Sequence, residues 1–133
     1  MINKYSEVCV KSHGRVTVGF TEAKHIAMAQ IDLREFEEKD RDFAHELIMI
    51  IAEVYSLPPA CSVKIGGEKL SAGTVGEVYG GLGSDHLKMC IENFRNVSYE
   101  IKHRKSYFRT ALYNSLFEFE SYCENAAGRY GLK

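Results

Sequence analysis

A chain of 133 residues, 45% hydrophobic and 26% charged, has the length and balance of one globular domain, long enough to bury a core without metal or disulfide staples. Its formal net charge of −1 excludes a global field that would hold it on DNA or on an anionic membrane, so nucleic-acid contact would need a local patch. The longest apolar run, 47–52, is far too short to span a bilayer, and MINKYSEVCV has neither an apolar signal core nor a small-residue cleavage site; a cytoplasmic location is expected.

In chain order, EVCVKSHGRVTVGF (7–20) alternates Val8/Val10 and Val16/Val18/Phe20 around a His13-Gly14 turn, which predicts a hairpin. Thr21 is placed to cap a helix with Ala23, Ile26 and Ala27 inward. DLREFEEKDRD (32–42) mixes both charges and reads as an exposed helix end or linker, its carboxylates a solvated face. Asp40 or Asp42 opens the clearest helix, because Phe43, Leu47, Ile50, Ile51 and Val54 recur on one helical face. SLPPA stops it, since neither proline ring can continue the ladder.

CSVKIGGEKL (61–70) predicts a tight hairpin, with Gly66-Gly67 supplying the backbone angles of a two-residue turn. Ser71 can cap a short, glycine-weakened helix with Val75, Val78, Tyr79 and Leu82 inward. Ser84 is a suitable N-cap for a helix lined by Leu87, Cys90, Ile91, Phe94 and Val97. The last helical region shares Phe108, Ala111, Leu112, Ser115, Phe119 and Tyr122 on one face. The expected fold is a mainly α, small helical domain with one or two short β-hairpins. Its segments are an N-terminal hairpin and lead-in helix (1–40), a helical domain (41–124) and a C-terminal tail (125–133).

Catalytic signals are weak. GGLGSD lacks both the buried strand of a dinucleotide fingerprint and the Lys-Ser/Thr of a P-loop. His45-Glu46 opens like a zincin helix, but Met49 stands where the second histidine belongs. His13, His25 and His86 are isolated and read as solvated. Cys9, Cys61, Cys90 and Cys123 form no CxxC pair and read as reduced thiols. No serine or cysteine carries a nucleophile motif. Neither enzymatic activity nor a metal or cofactor is expected.

The stretch IKHRKSYFRTALYN (101–114) interleaves Lys102, Arg104, Lys105 and Arg109 with Tyr107, Phe108 and Tyr113. On one helix, Phe108, Leu112, Ser115 and Phe119 face the core, Arg109, Tyr113 and Phe117 lie toward the other side, and Lys105 sits at the edge. Lys102, Arg104, Lys105, Arg109, Tyr113 and Phe117 are therefore the candidate interaction or nucleic-acid-binding residues. Aromatic and arginine side chains are enriched at protein interfaces, and the same types stack bases and hold phosphates. A bland alternative also fits, in which the cationic stems simply cover apolar surface.

From about Ile26 to Glu124 the chain resembles the C-terminal domain of RepA-type replication initiators, found on plasmids and other mobile elements of Gram-positive and related anaerobic bacteria. The matching segments are QID (30–32), HELIMIIAEVY (45–55), VKIGGEKL (63–70) with Val75, LGSDHLKMCIENF (82–94), KSYFRTALYN (105–114) and SYC (121–123). The last helix, with Tyr107 and then Ala111-Leu112-Tyr113, is also similar to the closing helix of DnaD-type replication domains. The resemblance implies a non-enzymatic accessory domain that recruits host replication proteins, primase or the helicase-loading machinery. It allows some DNA contact and a homo-oligomer; no membrane role is implied. In those initiators a winged-helix domain precedes this one and reads the origin. The chain departs from the pattern at GEV (76–78), where basic residues are frequent, and at Leu116, where a proline is frequent, leaving open whether the last helix breaks near Asn114.

Overall fold

Helical spacing of apolar residues governs most of the chain. The computed structural model, which describes the backbone of residues 18–129 and the side chains of 18–120, is mainly helical with one small antiparallel hairpin. Helix α1 (Phe20–Gln30) buries Ala23 and Ala27 against the central helix α2 (Arg41–Tyr55), whose Leu47, Ile48 and Ile51 are wholly enclosed. Small side chains on α1 let the two helices approach closely. At the end of α2 the Ser56 hydroxyl donates to Glu53 O at 2.8 Å, and the prolines then turn the chain out of the helix.

Strands β1 (Ser62–Ile65) and β2 (Glu68–Ser71) pair with Val63 opposite Leu70 and Lys64 opposite Lys69. Gly66 takes a φ of 67°, the left-handed conformation that the tight turn needs. Val63 and Ile65 point inward, so the hairpin is held by the helices beneath it, as a two-stranded ribbon must be. Ser71 caps α3 (Ala72–Tyr79) by accepting from Thr74 N–H at 3.1 Å, as its position in the sequence predicts. Helix α4 (Ser84–Arg95) contributes Leu87, Cys90 and Ile91 to the core, and α5 (Arg104–Arg129) closes it with Phe108, Leu112 and Ser115.

Several local expectations are corrected. The hairpin at 7–20 falls mostly on residues 1–17, outside the described residues; Phe20, placed in its second strand, is the first residue of α1 and is 47% exposed. Gly19, not Thr21, occupies the N-cap of α1, and Ile26, expected inward, lies off the buried alanine face and is 44% exposed. The charged segment 32–42 forms two 3-10 turns, Leu33–Glu35 and Glu38–Asp40, and tucks Phe36 into the core between them. Asp40 stands immediately before α2, but its carboxylate is spent on Arg95 of α4 instead of capping.

Gly83 replaces Ser84 as the cap of α4, because His86 takes the capping role: its Nδ1 accepts from Gly83 N–H at 2.9 Å. His86 therefore has a structural bond and a ring contact with Phe119 in place of the solvated position expected for it. Phe94, expected on the inner face of α4, is only partly covered. Helix α5 passes Asn114 without a break and continues to Arg129, so residues 125–129 belong to it and not to a separate tail. Leu116, in place of a proline, keeps the hydrogen-bond ladder intact.

Candidate functional site

The first turns of α5 lie across α2, and this crossing decides what the basic–aromatic stretch can do. Arg104 makes a two-pronged pair with Glu46, Nε to Oε2 at 2.6 Å and Nη2 to Oε1 at 2.9 Å. Its guanidinium carbon also lies 5.0 Å from the ring centroids of Phe43 and Phe108 and 4.9 Å from that of Phe94. The hydrogen bonds it donates to Glu46 hold the Arg104 guanidinium above even its usual high pKa, so its charge is permanent. The side chain is thus a clamp between α2, α4 and α5.

The next residue, Lys105, donates from Nζ to Glu53 Oε2 at 2.9 Å, and a turn beyond it Arg109 Nη2 lies 3.7 Å from Glu53 Oε1. The Arg109 side chain is only 21% exposed. The carbonyl of Arg109 accepts from the buried Tyr79 hydroxyl at 2.7 Å, which fixes α3 to α5. Burial pushes the Tyr79 phenol far above its ordinary range, so it stays a neutral donor.

The aromatic members divide. Tyr113 is half-buried and packs on the core, while Phe117 is 48% exposed; their rings meet with centroids 5.8 Å apart. Arg104, Lys105 and Arg109 are thus brought together, with Tyr113 and Phe117 further along α5. Lys102 is not part of the cluster: it lies on the connector before α5 and, among the described residues, has no ion-pair partner.

Electrostatically the cluster is nearly closed, since three cations meet two carboxylates, Glu46 and Glu53, on the facing helix. Exposed pairs of this kind are worth roughly 0–1 kcal/mol each, so they position side chains more than they stabilise the fold. They do reduce the charge available to a phosphate backbone. What remains outward is an aromatic pair beside partly neutralised arginine and lysine.

Sequence reasoning missed Gln30 as a structural centre, although it lies in the QID segment. Its amide donates to Tyr79 O at 2.8 Å and Leu82 O at 2.9 Å, and its carbonyl accepts from the Tyr55 hydroxyl at 2.6 Å. These partners lie 25 to 52 residues away, so no local pattern announces them. Sequence reasoning also missed the acidic partners on α2, Glu46 and Glu53, as counter-charges of the α5 cations.

Among the described residues no group of three histidine, cysteine, aspartate or glutamate side chains converges as a metal site, and no helix is long and apolar enough to cross a membrane. Burial pushes the Cys90 thiol up to about 12, although the Ser115 hydroxyl opposes the shift, whereas Cys61 is exposed. Iodoacetamide should therefore alkylate Cys61 in the native protein and reach Cys90 only on unfolding. Peptide mapping by mass spectrometry checks this, and equal labelling of the two in the native state would contradict the burial.

Comparison with known proteins finds no family model, no curated protein and no solved structure that matches this chain.

Proposed function

We propose that this chain is a non-enzymatic interaction domain that serves replication initiation of a plasmid or mobile element by recruiting a host replication protein, primase or a helicase loader. The observation that carries the protein-binding part is the state of the α5 surface. Its cations are bonded to Glu46 and Glu53, while Tyr113 and Phe117 offer aromatic surface beside them. A polyanion needs uncompensated charge, whereas a protein partner is held by aromatic anchors with charges at the rim. The replication part rests on the sequence resemblance from Ile26 to Glu124.

Titration of the chain with a purified bacterial primase, a helicase loader and single- and double-stranded DNA, each at two salt concentrations, tests the reading. Binding to one of the proteins should vary little with salt, and Tyr113→Ala or Phe117→Ala should weaken it by about 2 kcal/mol where the ring is an anchor. A thermal melt of each variant separates lost contact from lost fold. DNA binding with a steep salt slope, flattened by about one unit in Lys105→Ala and in Arg109→Ala, would replace this reading with the nucleic-acid one. Failure to bind either protein and unchanged affinity in both aromatic variants would each count against it.

A further inference from the structure

A different stripe of α5 takes no part in the charged cluster. Ser106, Thr110 and Asn114 follow one another at intervals of about one turn, with Glu118 next in the row. Beside them Tyr107 and Ala111 floor a groove that lies between α4 and the tip of the hairpin. Thr110 holds that tip in place, its Oγ1 accepting from Gly66 N–H at 2.9 Å. The groove is open and has a volume of about 630 Å³. From His103 to Glu118 it follows α5 for about 22 Å, the length of roughly six or seven residues of extended chain.

The lining fits such a chain. Asn93 of α4 and Ser106 and Asn114 of α5 line the groove and, among the described residues, make no side-chain hydrogen bond within the protein. An asparagine amide presents both a donor and an acceptor, as does each peptide unit of an extended backbone. Tyr99, 66% exposed on the connector, stands at the rim and adds an aromatic of the type enriched at interfaces. The lining charges are Lys102 against Glu100 and Glu118, one positive and two negative, so a polyanion is disfavoured and a neutral-to-basic occupant is preferred.

We propose that this groove binds an extended peptide segment of a partner protein, its main chain bonded by Asn93 and Asn114 and a basic side chain set against Glu118. The proposal stands apart from the replication reading, since it uses other residues and requires no particular biological setting.

Two acetylated, amidated heptapeptides of serine, threonine and leucine test it, one ending in lysine and its twin in glutamate. Each is titrated into the full chain and followed by amide NMR. The lysine peptide should shift the amides of Gly66, Asn93 and residues 99–114 and leave those of α1 unmoved. Glu118→Lys should weaken the lysine peptide about fivefold and strengthen the glutamate twin, because a rim attraction becomes a repulsion. Asn114→Leu should weaken both twins alike, since it removes a main-chain contact and no charge. Both positions are exposed, and the unchanged spectrum of each free variant away from the substitution confirms its fold. No shifts at millimolar peptide, twins that bind alike before and after the Glu118 reversal, or an unaffected Asn114 variant would each overturn the proposal. So would an oligonucleotide of mixed sequence that fills the groove in their place.

Discussion

Phe108→Ala should lower the free energy of unfolding by about 3–5 kcal/mol, the range for removing a buried ring from a packed core. Phe108 is wholly enclosed and makes edge or tilted contacts with Phe43, Phe94 and Tyr107 at centroid distances of 5.0–5.2 Å. Its loss would open a cavity where α2, α4 and α5 meet and remove one of the rings beneath the Arg104 guanidinium. Urea unfolding is the measurement, with the midpoint falling and the slope unchanged. Phe117→Ala is the internal comparison: that ring is half-exposed, so its removal should change stability by only about 0.5 kcal/mol. If the two substitutions cost the same, α5 does not face the core as described.

Gln30→Ala should cost about 2–4 kcal/mol, more than its polar side chain suggests. The substitution takes the Gln30 amide from the Leu82 carbonyl, removes one of two donors to Tyr79 O, which keeps the Leu82 N–H, and removes an acceptor of the Tyr55 hydroxyl. A buried carbonyl deprived of its donor costs roughly 1–3 kcal/mol and each further lost bond roughly 0.5–1.5 kcal/mol, less whatever water recovers. Gln30→Glu makes the test sharper. A carboxylate still accepts from Tyr55 but faces two carbonyl oxygens with no hydrogen to give. That site favours the protonated acid, so the variant's folded-state pKa lies above its unfolded value. Its stability should therefore fall as pH rises through that folded-state pKa and recover in acid, when one donor returns. Thermal melts across pH 4 to 8, a range set by the ordinary carboxylate pKa of about 4.3, would show this. A Gln30→Glu protein as stable as wild type at neutral pH would mean that the bonds to α3 contribute little.

The two substitutions also mark the boundary of what the sequence makes legible. Phe108 could be placed inside because its neighbours recur at helical spacing, and the same local logic locates α2, its stop at SLPPA, the Gly66-Gly67 turn and the Ser71 cap. Each of these is decided by residues within a few positions. The helix caps that failed show the limit of such logic: Ser84 is a good cap by preference, yet the His86 imidazole three residues beyond Gly83 takes the role. Gln30 and the Arg104–Glu46 pair are decided by partners 25 to 58 residues away, so nothing nearby signals them. The candidate site shows both cases. Its cations were visible as a run of letters, but their neutralisation by α2 follows only from how α5 crosses it.

The opposed lysines of the hairpin have a consequence for behaviour at high concentration. Among the described residues the ribbon has two strands, each an edge, and an edge with open peptide groups invites another chain to extend the ladder. Lys64 and Lys69 face each other across this ribbon, both exposed. A neighbouring molecule docking its own copy of the ribbon alongside would bring four ammonium groups into one row, with little water left between them. The arrangement works against stacking of identical molecules into a fibre-like sheet and keeps the ribbon at two strands. The like-charge pair thus gives up a little local stability for resistance to self-assembly.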